Sequence, residues 1–271
     1  NFCAPLKTKT VSFYTPMGVV NVEHLAHGSL HFEWEGMHIY VDPYSDLYDY
    51  SECKKADLIL LTHAHTDHYD TKAIEQIAMP NTTFIVSKGV KTCLENNLTE
   101  MQNLDLDNNS LNVDPSTNLV NMFIYPKLKF CNVTTLLNGE SAHIAGIKIK
   151  AVPAYNICRL RDNGKPFHLK GEGNGYILDM QGFEFYIGGD TEYIPEMEEL
   201  TPEAMGKSGG VDVAFLPKNL PYTMSDEEFI KVANLIKPKF LFPIHYFEID
   251  TKVLREGIDT GICLYVNGEQ I

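Results

Sequence analysis

The chain has 271 residues, enough for one large domain or two small ones, and its 44% apolar share suffices for a substantial core. No apolar run reaches the roughly 18 residues that a membrane span needs. Its 22 basic and 36 acidic residues leave a net charge of −14 with no basic tract, which argues against a nucleic-acid substrate and for a small molecule.

Residues 11–14, 19–25, 29–34 and 38–41 read as four strands, with Glu35-Gly36 turning between the last two. Asp42-Pro43 closes this opening meander, because proline removes a ladder donor where the chain must leave the sheet. The run Leu58-Ile59-Leu60-Leu61 is short and continuous, as expected of a buried strand, and it leads into Thr62-His63-Ala64-His65-Thr66-Asp67-His68. An amphipathic helix follows over 71–78, capped by Asp70 or Thr71 and stopped by Pro80. Residues 84–86 predict another short buried strand and 88–95 a helix. From 96 to about 130 the composition turns to Asn, Asp, Ser and Thr with isolated leucines, a polar insertion in what otherwise reads as a single domain over 1–271. Such an insertion packs as a flap or reaches a neighbouring subunit, so a homo-oligomer stays open.

Strands over 133–137, 142–144 and 147–152, joined by Asn138-Gly139 and Ala145-Gly146, open a second meander that continues through 176–180 and 183–187. Gly188-Gly189-Asp190 ends the last of these. Residues 195–200 read as an acidic, solvated helical turn and 211–216 as a buried strand. Ser225 and Glu228 form a capping box for a helix whose stripe is Phe229, Val232, Ala233 and Ile236, and 240–245 run as a strand into His245. Six cysteines lie scattered without a Cys-x-x-Cys pair, so free thiols are expected. The chain begins at Asn1 rather than Met, as a trimmed N-terminus would, and both cytoplasmic and exported (periplasmic) placements stay open.

The chemistry concentrates at 63–68. His63 and His65 are two apart, so in an extended segment both rings project to one side, and Asp67 and His68 follow where the chain begins to turn. Two neighbouring metal sites can be filled this way. Imidazole and carboxylate suit zinc, and also manganese or iron.

The pattern His-x-His-x-Asp-His resembles the signature of the metallo-β-lactamase superfamily. Within it, the chain is similar to a branch of uncharacterised metal-dependent hydrolases, akin to ascorbate-6-phosphate lactonase and the phospholipase D that cleaves N-acyl-phosphatidylethanolamine. The resemblance implies an α/β fold, a four-layer αββα sandwich, with two divalent ions at one edge. It implies a first site of His63, His65 and a third ligand near Asn156, a second site of Asp67, His68 and His245, and a bridging Asp190. Asp42 and His27 then support the ligands from behind. A hydroxide held by the metals would attack an ester, lactone or phosphodiester of a small molecule, with Asp67 and Asp190 as the catalytic carboxylates.

Asn156 departs from the pattern, since the family carries histidine there. Either the first site is poorer and prefers manganese or another oxygen-loving ion, or His168 reaches back as ligand or substrate contact. The alternatives are a non-catalytic metal or ligand binder descended from such a hydrolase, or a nuclease, for which a basic track would be expected.

Overall fold

The structure is a computed structural model that describes residues 9–95 and 132–271, so the insertion expected at about 96–130 lies outside the described residues. Strands β1 (Val11–Thr15), β2 (Gly18–Ala26), β3 (Ser29–Trp34), β4 (Met37–Val41), β5 (Leu58–Leu61), β6 (Thr83–Val86) and β7 (Asn132–Thr135) lie side by side in chain order. The first four pair antiparallel, and β4 to β7 pair parallel. The second sheet comprises β8 (Ser141–Ile144), β9 (Ile147–Pro153), β10 (Asn174–Met180), β11 (Phe183–Ile187), β12 (Val213–Pro217), β13 (Phe240–Ile244), β14 (Cys263–Val266) and β15 (Glu269–Gln270), again in chain order across the sheet. β11 to β14 are parallel. The strand expected over 133–137 therefore belongs to the first sheet, paired with β6 instead of opening the second meander; side-chain alternation shows that a segment is a strand but not which sheet it joins.

The sheets face each other across one apolar interior. Leu58 and Leu60 point into it with Phe32, Val41, Ile149, Leu178, Phe215 and Ile244. The alternate residues Ile59 and Leu61 pack outward against helix α1 (Thr71–Ile77) and helix α2 (Lys88–Glu95). A strand covered on both faces has to be apolar throughout, which is why β5 reads Leu-Ile-Leu-Leu. The outer face of the second sheet is covered by a 3-10 helix (Pro195–Leu200), a short α3 (Pro202–Met205), α4 (Asp226–Ile236) and α5 (Thr251–Gly257). On α4 the expected stripe is fully buried, each large side chain contributing about 1.5–3 kcal/mol. The layers are thus αββα, as the motif implied. Residues 195–200 are less solvated than their acidity suggested, because Met197 and Leu200 turn inward. No helix among the described residues is long and apolar enough to cross a membrane.

β4, β5, β11, β12 and β13 deliver their C-terminal ends to one edge of the sandwich, where Asp42, His63, Asp190, Asn219 and His245 follow directly. Three residues there adopt left-handed backbone conformations that side chains disfavour: His27 (φ 53°), Asp42 (φ 44°) and His245 (φ 59°). Strain gathered at one edge marks that edge as the place where side-chain position outweighs backbone comfort.

Candidate metal centre

Asp42 sits beneath the histidine turn and fixes two of its rings. Its Oδ1 accepts from the Thr62 backbone N–H at 2.8 Å, and its Oδ2 accepts from the Thr62 hydroxyl and from His68 Nδ1–H at 2.7 Å. With its one proton given to Asp42, the Thr62 hydroxyl can only accept from its other neighbour, His63 Nδ1, at 2.9 Å. In their neutral form both imidazoles therefore carry their proton on Nδ1 and turn the Nε2 lone pair toward the site. Gly28 makes room for this arrangement, since a Cβ there would stand 2.8 Å from His68 Cε1.

Those nitrogens converge on one carboxylate oxygen. Asp190 Oδ2 lies 3.5 Å from His63 Nε2, 3.3 Å from His68 Nε2, 3.1 Å from His168 Nε2 and 3.1 Å from His245 Nε2. Asp67 Oδ2 lies 3.5 Å from His68 Nε2 and 3.4 Å from His245 Nε2. Two groups of donors result, each within 4.8 Å of one another: His63, His65, His168 and Asp190 in one, and His27, Asp67, His68 and His245 in the other. Nε2 of His63, His68 and His245 is buried without a hydrogen-bond partner. Buried polar atoms seldom go unpaired, and imidazole nitrogens gathered round a carboxylate are what a divalent cation fits once any proton on them is displaced.

Asn156 turns away from this centre. Its Oδ1 accepts from the His168 backbone N–H at 2.8 Å and from His168 Nδ1–H at 2.6 Å, while its Nδ2 donates to Glu192 and to the Tyr222 carbonyl. Of the two readings left open for the missing histidine, the geometry favours the one in which His168 enters from the neighbouring loop and Asn156 orients it. His27 donates from Nε2 to Asp67 Oδ2 at 2.8 Å, and its carbonyl receives His24 Nε2–H and the His245 backbone N–H.

The charges balance in a way that suits cations. Burial alone would lower His68, but Asp190, Asp67 and Asp42 outweigh it and raise that imidazole well above its usual range. His245 is raised too, burial being overcome chiefly by Asp190. Burial pushes His65 down to about 3, with His168 adding to the effect, and lowers His63 well below its ordinary value. Asp190, which burial would raise, is held well below the carboxylate range by His245, His68 and His63. Beside these residues opens a cavity of about 410 Å³ whose wall includes His63, His65, His168, Asp190, Arg161 and Phe167.

A profile described as a β-lactamase superfamily domain matches residues 21–245, which include every residue of this cluster. The chain belongs to the metallo-β-lactamase superfamily. Among solved structures this superfamily member is similar to a Parabacteroides distasonis protein assigned as a metal-dependent hydrolase, with 32% identity, 97% of this chain and 99% of that one covered, and a TM-score of 0.75. It shares its fold with Igni18, a metallo hydrolase of Ignicoccus hospitalis, at 21% identity and TM-score 0.65, over 93% of this chain and 97% of that one. A UPF0173 metal-dependent hydrolase of Thermococcus onnurineus is 29% identical over 234 residues, 84% of this chain and 85% of that protein.

Several residues that shape the site in this superfamily member escape a reading of the sequence. Glu192 is buried, and its carboxylate gathers the backbone N–H groups of Ile157, Cys158 and Arg159 together with the Asn156 amide. Burial would raise its pKa, but those donors hold it below the ordinary range. The loop that carries Asn156 is thereby anchored. A carboxylate two residues beyond Asp190 was the available signal.

Proposed function

We propose that the protein is a hydrolase of an ester, lactone or phosphodiester bond in a small molecule, dependent on two divalent metal ions. The observation that carries this reading is the convergence of Nε2 atoms from four histidines on Asp190 Oδ2. The metal-dependent hydrolases among its relatives support it. His63, His65 and His168 would hold the first ion and Asp67, His68 and His245 the second, with Asp190 available to both. Three imidazoles suit zinc at the first site, and the carboxylate share of the second leaves manganese or iron open there. Bound ions of this kind activate water and stabilise the oxyanion that develops on the substrate.

The chain's own groups hold and move the protons. Asp67 is the most open of the cluster's carboxylates, its side chain 31% exposed against 4% for Asp190, so it is the one placed to take a proton from water and return it to a leaving group. The His27 hydrogen bond fixes which way Asp67 faces. Asp42, through Thr62 and His68, keeps both ring tautomers correct during that exchange.

The test is turnover of panels of esters, lactones and phosphodiesters by protein freed of metal and then reloaded with zinc or manganese. Activity restored by metal and abolished in Asp190→Asn is the expected outcome. Full activity in excess chelator, or no metal-dependent turnover on any panel, refutes the proposal.

A further inference from the structure

Arg161 stands at the edge of the first group of donors, its Nη2 3.4 Å from His65 Nε2 and its guanidinium 5.0 Å above the Phe167 ring. A tight hairpin presents it: Arg161 N–H donates to the Lys165 carbonyl at 2.7 Å, Gly164 N–H to the Arg161 carbonyl at 2.8 Å, and Leu160 bridges Pro166. The base of that hairpin is tied down by Arg159, which pairs with Glu228 at 3.0 Å, and by the Glu192 carboxylate. Arg161 is thus held in place rather than searching solvent. Of the carboxylates around the hairpin, Glu192 and Glu228 pair with Arg159, and Asp190 faces His168.

A half-buried guanidinium against a site built for cations is electrostatically unfavourable unless an anion joins them. The lone pair of His65 Nε2 cannot serve both a metal ion and Arg161, so a cation bound there leaves the guanidinium donors free and aimed at whatever occupies the same few ångströms. We infer, building on the hydrolase reading above, that Arg161 binds a non-bridging oxygen of the reacting group itself, and that the substrate is therefore a phosphoester. A carboxylic ester or lactone has one non-bridging oxygen at its reacting carbon, which bound ions would take, leaving none for Arg161. A phosphodiester has two such oxygens and a negative charge, one for the centre and one for Arg161, whose fork suits that geometry. The chain's net charge of −14 disfavours a polyanion, so the phosphoester belongs to a small molecule.

The experiment is calorimetric titration of phenylphosphonate into metal-loaded wild type, Arg161→Gln and Arg161→Lys, alongside steady-state kinetics on bis(4-nitrophenyl) phosphate and 4-nitrophenyl acetate. A charge-assisted hydrogen bond corresponds to a loss of about 10- to 100-fold in phosphonate affinity for Arg161→Gln, with partial retention by Arg161→Lys. The same variant should raise KM for the phosphodiester by a similar factor, with kcat changing less, and shift discrimination toward the neutral ester by at least about tenfold. Phosphonate binding that is absent in wild type, or within twofold of wild type in Arg161→Gln, overturns the inference. So does equal loss on both substrates. Phosphonate bound through Arg161 by a protein that hydrolyses no ester with any ion refutes the hydrolase reading alone. Metal-dependent turnover with Arg161-independent phosphonate binding refutes the phosphoester inference alone.

Discussion

Asp42→Asn replaces one oxygen by an amide nitrogen and should disarm two ligands at once. If the new carboxamide keeps its oxygen on the Thr62 N–H, its NH2 group occupies the place where Oδ2 accepted from the Thr62 hydroxyl and from His68 Nδ1. Both partners must then accept. The Thr62 proton swings toward His63 Nδ1, and both His63 and His68 move their own protons to Nε2, facing Asp190. The opposite amide orientation sets a donor against the Thr62 N–H and leaves it unpaired, at about 1–3 kcal/mol. Loss of a supporting partner of this kind typically lowers metal affinity 10- to 100-fold, or about 1.4–2.8 kcal/mol per ion. Competition against a chromophoric chelator, with metal content measured by mass spectrometry after dialysis, reads the change directly. Affinity within threefold of wild type would mean that Asp42 does not set the tautomers and that the tautomer reasoning fails.

His168→Ala should remove one equivalent of tightly held metal, and Asn156→Ala should weaken that same equivalent about 10- to 100-fold by releasing His168 Nδ1; unchanged stoichiometry and affinity in both would exclude His168 from the first site. Gly28→Ala drives a methyl group against a ring pinned by Asp42, so urea denaturation should show a loss of about 1–3 kcal/mol together with weaker metal binding. Burial lowers the His24 imidazole to about 4. The neutral ring's contribution to stability is then fully present above the unfolded value of 6.5 and lost as pH falls toward 4. Across that window the slope owed to this residue is about 1.4 kcal/mol per pH unit, and His24→Gln in metal-free protein should flatten the urea-derived stability profile by about one proton.

What could be read from the sequence was local. β5 and the turn after it were legible because a doubly buried strand has to be continuously apolar and because four potential metal donors lie within six positions directly after it. Asp190 and His245 were legible as residues closing strands of the second sheet. The choice between Asn156 and His168 was not, since it depends on a carboxamide held by Glu192 and Tyr222, residues distant in the chain. Arg161 sat in a polar hairpin with no periodicity to mark it, and its meaning comes from contact with His65, 96 positions away. β7 was recognisable as a strand, but its sheet depends on pairing with β6 across residues 96–131. α5, β14 and β15 form a short helix and two short strands whose patterns are too brief to stand out.

The central claim is that this edge of the sandwich holds two ions on the named side chains. Anomalous diffraction from crystals grown with zinc or manganese tests it most directly. The account predicts two peaks about 3.5–4 Å apart, one at bonding distance from His63, His65 and His168, the other from Asp67, His68 and His245, with Asp190 between them. A single peak that leaves either set unused, or no peak within reach of Asp190, would contradict it.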